Sequence, residues 1–172
     1  MTTRVSRLIT HEVLKELRSA DDAGRRMVPV LDEEGGAPLR CCLRHSERGE
    51  RIALVSYAPL RRWAAETGVD PGAYDEQGPV FIHAEECGGP AGQGHPFTGA
   101  HRTVRRYSAD GHILGGRLVD VESTTGATAF DHAFDHAFEE AFADPEVALV
   151  HVRAVEYGCF LYEVRRAEVG GV

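Results

Sequence analysis

A histidine at the end of an apolar run and a cysteine four residues later form a pattern that could bind a metal. His83 follows Val80-Phe81-Ile82, and Cys87 lies in a segment rich in glycine and proline. Imidazole nitrogen and thiolate sulfur are ligands that suit zinc or iron. The pattern predicts the end of a buried strand that leads into a ligand-bearing loop.

A second group of reactive side chains is predicted by alternation along a strand. Residues 39–44 are expected to be extended, so that Arg40, Cys42 and Arg44 project to the same side. Guanidinium groups beside a cysteine favour its thiolate form. We therefore expect Cys42 to be a candidate nucleophile.

A third group lies near the C-terminal end of the chain. His151 and Arg153 are expected to share one face of a strand, while Val150 and Val152 occupy the other. Cys159 follows in the next expected strand. An imidazole, a guanidinium and a thiol from this part of the chain could therefore reach a common cleft.

These residues predict a pocket gathered from separate strands, in one of two forms. In the metal-free form, Arg40, His83 and Arg153 bind an acidic small molecule through charge-assisted hydrogen bonds. Cys42 or His151 then acts as the catalytic nucleophile or base.

In the metal-centred form, zinc or iron is bound by His83, Cys87, His151 and Cys159. A third interpretation is a non-catalytic structural or interaction domain, in which the cysteines fill the core and the arginines pair with carboxylates. The residues leave all three interpretations open, and with them the question of whether the protein is an enzyme.

Two further histidines are expected to face solvent. His132 and His136 have the i, i+4 spacing of a helical metal pair, but they follow Phe130 and Phe134 by two residues, about 200° around a helix. The phenylalanine stripe, which continues with Phe138, is expected to face the core.

The remaining patterns predict an α+β fold with a mostly antiparallel sheet of six to seven strands and two main helices packed on it. The main helices are expected at residues 11–19 and 130–142, with a shorter one at 60–67. Asp110-Gly111 predicts a hairpin turn. The expected strands are residues 39–44, 51–57, 79–84, 102–107, 112–121, 147–155 and 159–166.

Length and charge restrict the class of protein. The chain has 172 residues, which is close to one domain, and we expect residues 1–172 to form a single one. Its 19 basic and 27 acidic residues give a net charge of −8, which argues against a nucleic-acid-binding protein. Apolar runs of four residues predict neither a membrane span nor a secretory signal, so we expect a cytoplasmic protein. A homodimer is compatible with these features.

Several blocks of the sequence, taken in order, resemble one known family, the domain of unknown function numbered 1203 (DUF1203). The resemblance extends over residues 38–166 and implies a small bacterial α+β domain without an established activity. The blocks are Pro38-Leu-Arg-Cys-Cys-Leu-Arg44, Gly49-Glu50, Val55-Ser-Tyr57, Gly78-Pro-Val-Phe-Ile-His83 with Cys87, Val150-His-Val-Arg153 and Tyr157-Gly-Cys-Phe160.

The first block departs from the family pattern Pro-Cys-Arg-x-Cys-Leu. Leu39 stands where the family has its first cysteine, Cys42 matches the second, and Cys41 occupies the variable position. The chain therefore lacks a Cys-x-x-Cys pair here, which argues against a zinc or redox motif of that type.

Overall fold

Ten strands and three α-helices make up the regular structure of the residues that the computed structural model describes, which are 4–90, 94–98, 101–120 and 127–166. The helices are α1 (His11–Ser19), α2 (Pro59–Thr67) and α3 (Ala127–Ala143). The strands are β1 (Arg4–Arg7), β2 (Val30–Leu31), β3 (Pro38–Leu39), β4 (Arg44–His45), β5 (Arg51–Tyr57), β6 (Gly78–His83), β7 (Arg102–Ser108), β8 (Ile113–Val119), β9 (Val147–Ala154) and β10 (Phe160–Arg166).

The α+β class is confirmed, but the expectation of one sheet with six to seven strands is wrong. The strands divide into two five-stranded sheets, and α2 is a third helix of nine residues. The first sheet has the order β1-β10-β9-β7-β8 and is antiparallel throughout. The second sheet has the order β2-β5-β6-β3-β4 and contains one parallel pair, β3 with β6.

Helix α3 covers one face of the first sheet with its stripe of phenylalanines. Phe134 and Phe138 are buried against Val150 and Val152 of β9, whereas the two helical histidines are exposed, as their spacing predicted. On the other face, Trp63 of α2 packs in a smaller buried cluster with residues of β7 and β9. The first sheet is thus covered on both faces.

The predicted hairpin between β7 and β8 is confirmed. Gly111 of the turn has a φ of +80°, and a Cβ there would lie 2.9 Å from Cβ of Pro71. Both the left-handed backbone and the close approach therefore require glycine at this position. The expected strand at 112–121 is shorter in the structure, and Val121 lies outside the described residues.

Helix α1 begins as predicted and covers the second sheet. The Thr10 hydroxyl accepts a hydrogen bond from the Val13 amide at 3.4 Å, which caps the helix. Leu14 and Leu17 are buried in a cluster with Ile52 and other apolar residues of β5 and β6. No helix among the described residues has both the length and the apolar character that a membrane crossing requires.

The expected strand at residues 39–44 is wrong, and the error matters for the site. Strand β3 ends at Leu39, a turn occupies residues 40–43, and β4 begins at Arg44. The Leu43 amide donates to the Leu39 carbonyl at 2.9 Å, and Leu43 has a φ of +56°. Nor does this segment pair with the strand that follows it, because β5 pairs with β2 and β6 in the described part of the chain.

Phe138 provides a test of the packing of α3. Its side chain is 2% exposed, so replacement with alanine removes a buried ring and leaves a cavity. We expect Phe138→Ala to lower the free energy of unfolding by about 3–5 kcal/mol, measured by urea denaturation. The exposed His136→Ala variant on the same helix is the control, and a loss of less than about 1 kcal/mol in Phe138→Ala would place this face outside the core.

Candidate metal centre

The single parallel strand pair brings two distant parts of the chain together. Leu39 of β3 lies opposite Phe81 of β6, and the Arg40 amide donates to the Phe81 carbonyl at 2.8 Å. The turn that follows β3 is thereby fixed beside the last residues of β6. The His83 amide extends this contact by donating to Sγ of Cys41 at 3.2 Å.

Four metal-ligating side chains converge at this junction. The ligand atoms of Cys41, Cys42, His83 and Cys87 all lie within 4.8 Å of one another. Nδ1 of His83 is 3.3 Å from Sγ of Cys41 and 3.8 Å from Sγ of Cys42, and the two sulfurs are 4.0 Å apart. Both Cys41 and Cys42 are nearly inaccessible, at 3% and 1% exposed, and His83 is 9% exposed. This Cys₃His group could hold a metal ion.

The turn at residues 40–43 explains how two adjacent cysteines serve one site. On a strand, the side chains of neighbouring residues point to opposite faces, and this rule separated Cys41 from Cys42 in the sequence interpretation. In the structure the backbone curls back at Leu43, so both sulfurs approach His83. Cys41 was missed because this turn contains neither glycine nor proline to signal it.

A carboxylate fixes the orientation of the His83 ring. Nε2 of His83 lies 3.1 Å from Oε1 of Glu50, and a carboxylate oxygen can only accept a hydrogen bond. With the hydrogen on Nε2, Nδ1 has a free lone pair directed toward the cysteine sulfurs. Arg44 holds Glu50 in turn, with Nη1 donating to Oε2 at 3.1 Å and Nη2 to Oε1 at 2.5 Å. Nη2 of Arg44 also lies 3.2 Å from Nε2 of His83.

Glu50 was not singled out as a site residue from the sequence, although its block belongs to the family resemblance. Its carboxylate also accepts a hydrogen bond from the Glu47 amide at 2.7 Å. The hydrogen bonds from Arg44 and Glu47 lower the pKa of Glu50 to about 2. A permanently ionised carboxylate behind the imidazole is the arrangement that commonly orients histidine ligands of metals.

The electrostatic environment distinguishes the two adjacent thiols. A hydrogen bond from Cys41 lowers the pKa of Cys42 below its ordinary value, assisted by the amide and the guanidinium of Arg44. The same hydrogen bond, together with burial, raises the pKa of Cys41. One thiolate is therefore already favoured here without a metal, with the neighbouring thiol as its hydrogen-bond donor.

The predicted ligand-binding arginines are occupied by other partners. Arg40 is 3% exposed, and its guanidinium donates to the carbonyls of Phe160, at 2.8 Å, and of Pro38. Burial lowers the pKa of Arg40 to about 10. Arg153 is attached to Gly158 and Glu76. Among the described residues, neither guanidinium donates a hydrogen bond to the Cys₃His group.

The structure brings His83 and Cys87 together, as the metal-centred hypothesis expected, but not with His151 or Cys159. His151 is fully buried on β9, where Nε2 lies 2.9 Å from Oε2 of Glu163. Cys159 lies after β9, and its sulfur donates to the Tyr157 carbonyl at 3.7 Å. Alternation along a strand predicts that His151 and Arg153 share one face of the sheet. It does not predict what packs on that face, and this packing determines whether a side chain is accessible.

His151 is held neutral inside the first sheet. Its ring packs edge-on against Phe160 at 5.0 Å between centroids and lies 4.8 Å from the ring of Tyr107. Burial lowers the pKa of His151, and this effect outweighs the attraction of the Glu163 carboxylate. Burial acts against the charge of Glu163 as well, but hydrogen bonds from His151 and Arg165 lower its pKa overall.

Comparison with known proteins gives one family match. The model of a family described as "Protein of unknown function (DUF1203)" matches residues 36–166. This range includes the whole Cys₃His group and the glutamate behind it. No curated protein and no solved structure matches the chain.

His151 provides a test that separates a core role from a site role. We expect His151→Gln to lower the free energy of unfolding at neutral pH by about 1–3 kcal/mol, because the amide does not reproduce the packing of the buried ring against Tyr107 and Phe160. In the wild type, stability should decrease as the pH falls below about 6.5, since the unfolded chain binds a proton that the folded protein excludes. Urea denaturation at several pH values should show a smaller decrease in His151→Gln.

The exposed residue His136 supplies the control for this experiment. His136→Gln should leave the stability within about 0.5 kcal/mol of the wild type at neutral pH and should keep its pH dependence. A His151→Gln protein with wild-type stability and an unchanged pH dependence would contradict the assignment of His151 to the core.

Proposed function

We infer that this chain, which belongs to the DUF1203 family of proteins of unknown function, binds a zinc ion through Cys41, Cys42, His83 and Cys87. One observation carries the proposal: three sulfurs and one imidazole nitrogen, from the turn after β3, the end of β6 and the loop that follows it, lie within 4.8 Å of one another. Together they offer the four ligands of a tetrahedral zinc site.

The distances between the ligand atoms support a metal site rather than a disulfide. The sulfurs of Cys41 and Cys42 are 4.0 Å apart, about twice the length of a disulfide bond. In a tetrahedral zinc site, ligand atoms are separated by about 3.5–3.8 Å, as follows from zinc–sulfur and zinc–nitrogen bonds of about 2.3 and 2.0 Å. The distances of 3.3, 3.8 and 4.0 Å among Cys41, Cys42 and His83 lie close to these values, and the Cys87 sulfur lies within 4.8 Å of each of them.

The chemistry of the donor set favours zinc. Thiolate and imidazole ligands in a Cys₃His set are typical of structural zinc sites, whereas magnesium and calcium require oxygen ligands. Three thiolates with one divalent cation have a net charge of −1, and the charges of Arg44 and Glu50, which pair with each other beside the site, cancel. The Glu50 carboxylate fixes the imidazole for metal binding.

The number of ligands favours a structural rather than a catalytic role for the zinc. Four protein ligands fill a tetrahedral site, whereas catalytic zinc sites keep a position open for water or substrate. The site would connect the turn after β3 with Cys87, which belongs to the loop after β6. We propose that zinc fixes this loop on the second sheet.

Zinc content should depend on the cysteines of the cluster but not on Cys159. Protein purified without a histidine tag should contain about one zinc per chain by elemental mass spectrometry. Cys42→Ser should lose most of this metal, because one thiolate ligand is replaced by a hydroxyl group. Cys159→Ser is the matched control and should retain the metal, since this sulfur contacts only the Tyr157 carbonyl in the described residues.

Thiol titration of the wild type keeps the test valid if Cys42→Ser does not fold. Cys87, which is half-buried, should be protected from thiol reagents until a chelator removes the metal, whereas burial shields Cys41 and Cys42 in either state. Absence of zinc from the wild type, or an equal loss of zinc in the two variants, would overturn the proposal. Stoichiometric iron in place of zinc would overturn the identity of the metal.

The glutamate behind His83 should control zinc affinity. We expect Glu50→Gln to weaken zinc binding by about 10–100-fold, because the neutral amide is a weaker acceptor for the imidazole hydrogen. Competition with a fluorescent zinc chelator would measure the change. Glu47→Gln is the control, since Glu47 contributes its backbone amide to this network and its side chain is exposed. Equal zinc affinities of the two variants would refute the role of Glu50.

A further inference from the structure

A cleft of about 310 Å³ lies between the two sheets, separate from the Cys₃His group. The end of β5, the start of β6 and the connection between β9 and β10 form its walls. Its size is at the lower end of the range found for small-molecule sites. Its lining includes Tyr57, Pro59, Glu76, Arg153, Tyr157 and Phe160.

Arg153 presents an incompletely used guanidinium in this cleft. Nη1 donates to the Gly158 carbonyl at 2.9 Å, and Nη2 donates to Oε2 of Glu76 at 2.8 Å. Nε is buried and has no hydrogen-bond partner among the described residues. Nε and Nη2 form one edge of the guanidinium, and this edge binds carboxylates through two parallel hydrogen bonds. Half of that edge is therefore unused.

Glu76 cannot balance the positive charge at this place alone. The oxygen that accepts from Arg153 also accepts from Nη1 of Arg105 at 3.0 Å. Two guanidinium groups and one carboxylate have a net charge of +1. Because Glu76 is about half exposed and already contacts Arg105, it can remain on Arg105 when another anion binds to Arg153.

Aromatic side chains form the rest of the cleft. The rings of Tyr57 and Phe160 pack edge to face with centroids 5.6 Å apart, and Pro59 lies beside them. Tyr157 at the rim is 84% exposed, which is unusual for a large aromatic side chain. Such a surface binds an apolar or aromatic group next to the charged edge of Arg153.

We propose that this cleft binds a small carboxylate with an aromatic or apolar body. The carboxylate replaces Glu76 on Arg153, and when Glu76 has left this edge it accepts hydrogen bonds from Nη2 and Nε. The body packs against Phe160 and Tyr157. Glu76 competes with the ligand for Nη2, so it limits the affinity. No zinc ligand takes part in the proposed binding, because none of the four proposed metal ligands lines the cleft.

The test uses 3-phenylpropanoate and its uncharged amide as probes of the full-length protein. Isothermal titration calorimetry should show binding of the carboxylate and at least about tenfold weaker binding of the amide. Arg153→Gln should weaken binding of the carboxylate by about tenfold or more for the same reason. Glu76→Gln should strengthen it, because the competing carboxylate is removed.

Arg61→Gln is the matched control, since this partly exposed arginine pairs with Asp75 and does not line the cleft. It should leave the affinity unchanged. Glu76→Gln keeps the proposal falsifiable if Arg153→Gln does not fold. Absence of binding, equal binding of the carboxylate and the amide, wild-type affinity in folded Arg153→Gln, or weaker binding in Glu76→Gln would each overturn the proposal. Zinc content, measured in parallel, should be the same in all of these variants.

Discussion

The parallel contact between β3 and β6 is the interaction on which the candidate site depends. It consists of the register Leu39 to Phe81 and the hydrogen bond from the Arg40 amide to the Phe81 carbonyl. Cys41 and His83 are 42 residues apart in the chain, and this pairing places them in contact. A change of one residue in this register would point the side chains of β6 to the opposite face and separate the ligand atoms.

Local patterns predicted the elements better than their arrangement. The phenylalanine stripe of α3, the bounds of α1 and the Asp110-Gly111 hairpin depend on neighbours in the sequence, and all three are confirmed. The division into two sheets depends on which strands pair across the chain, and half-buried strands have similar patterns whichever sheet they join. One sheet was therefore predicted where there are two.

The candidate site shows the same difference between local and distant information. His83 and Cys87 were recognised because a strand end and a glycine-rich loop have clear local signatures. Cys41 and Glu50 required the turn at Leu43, whose positive φ is adopted without a glycine. His151 has a sequence environment much like that of His83, but packing against Tyr107 and Phe160 buries it completely, and only the tertiary structure distinguishes the two.

The proposed zinc ligands lie at the two ends of one long segment of the chain, residues 42–83. Tyr57, Pro59 and Glu76, which line the cleft, all lie between Cys42 and His83. An ion bound to both ends of this segment would close it into a loop and reduce the number of conformations open to the unfolded chain. Depletion of the metal would then loosen a binding surface that it does not touch, so the supply of zinc to the cell would govern how well formed that surface is.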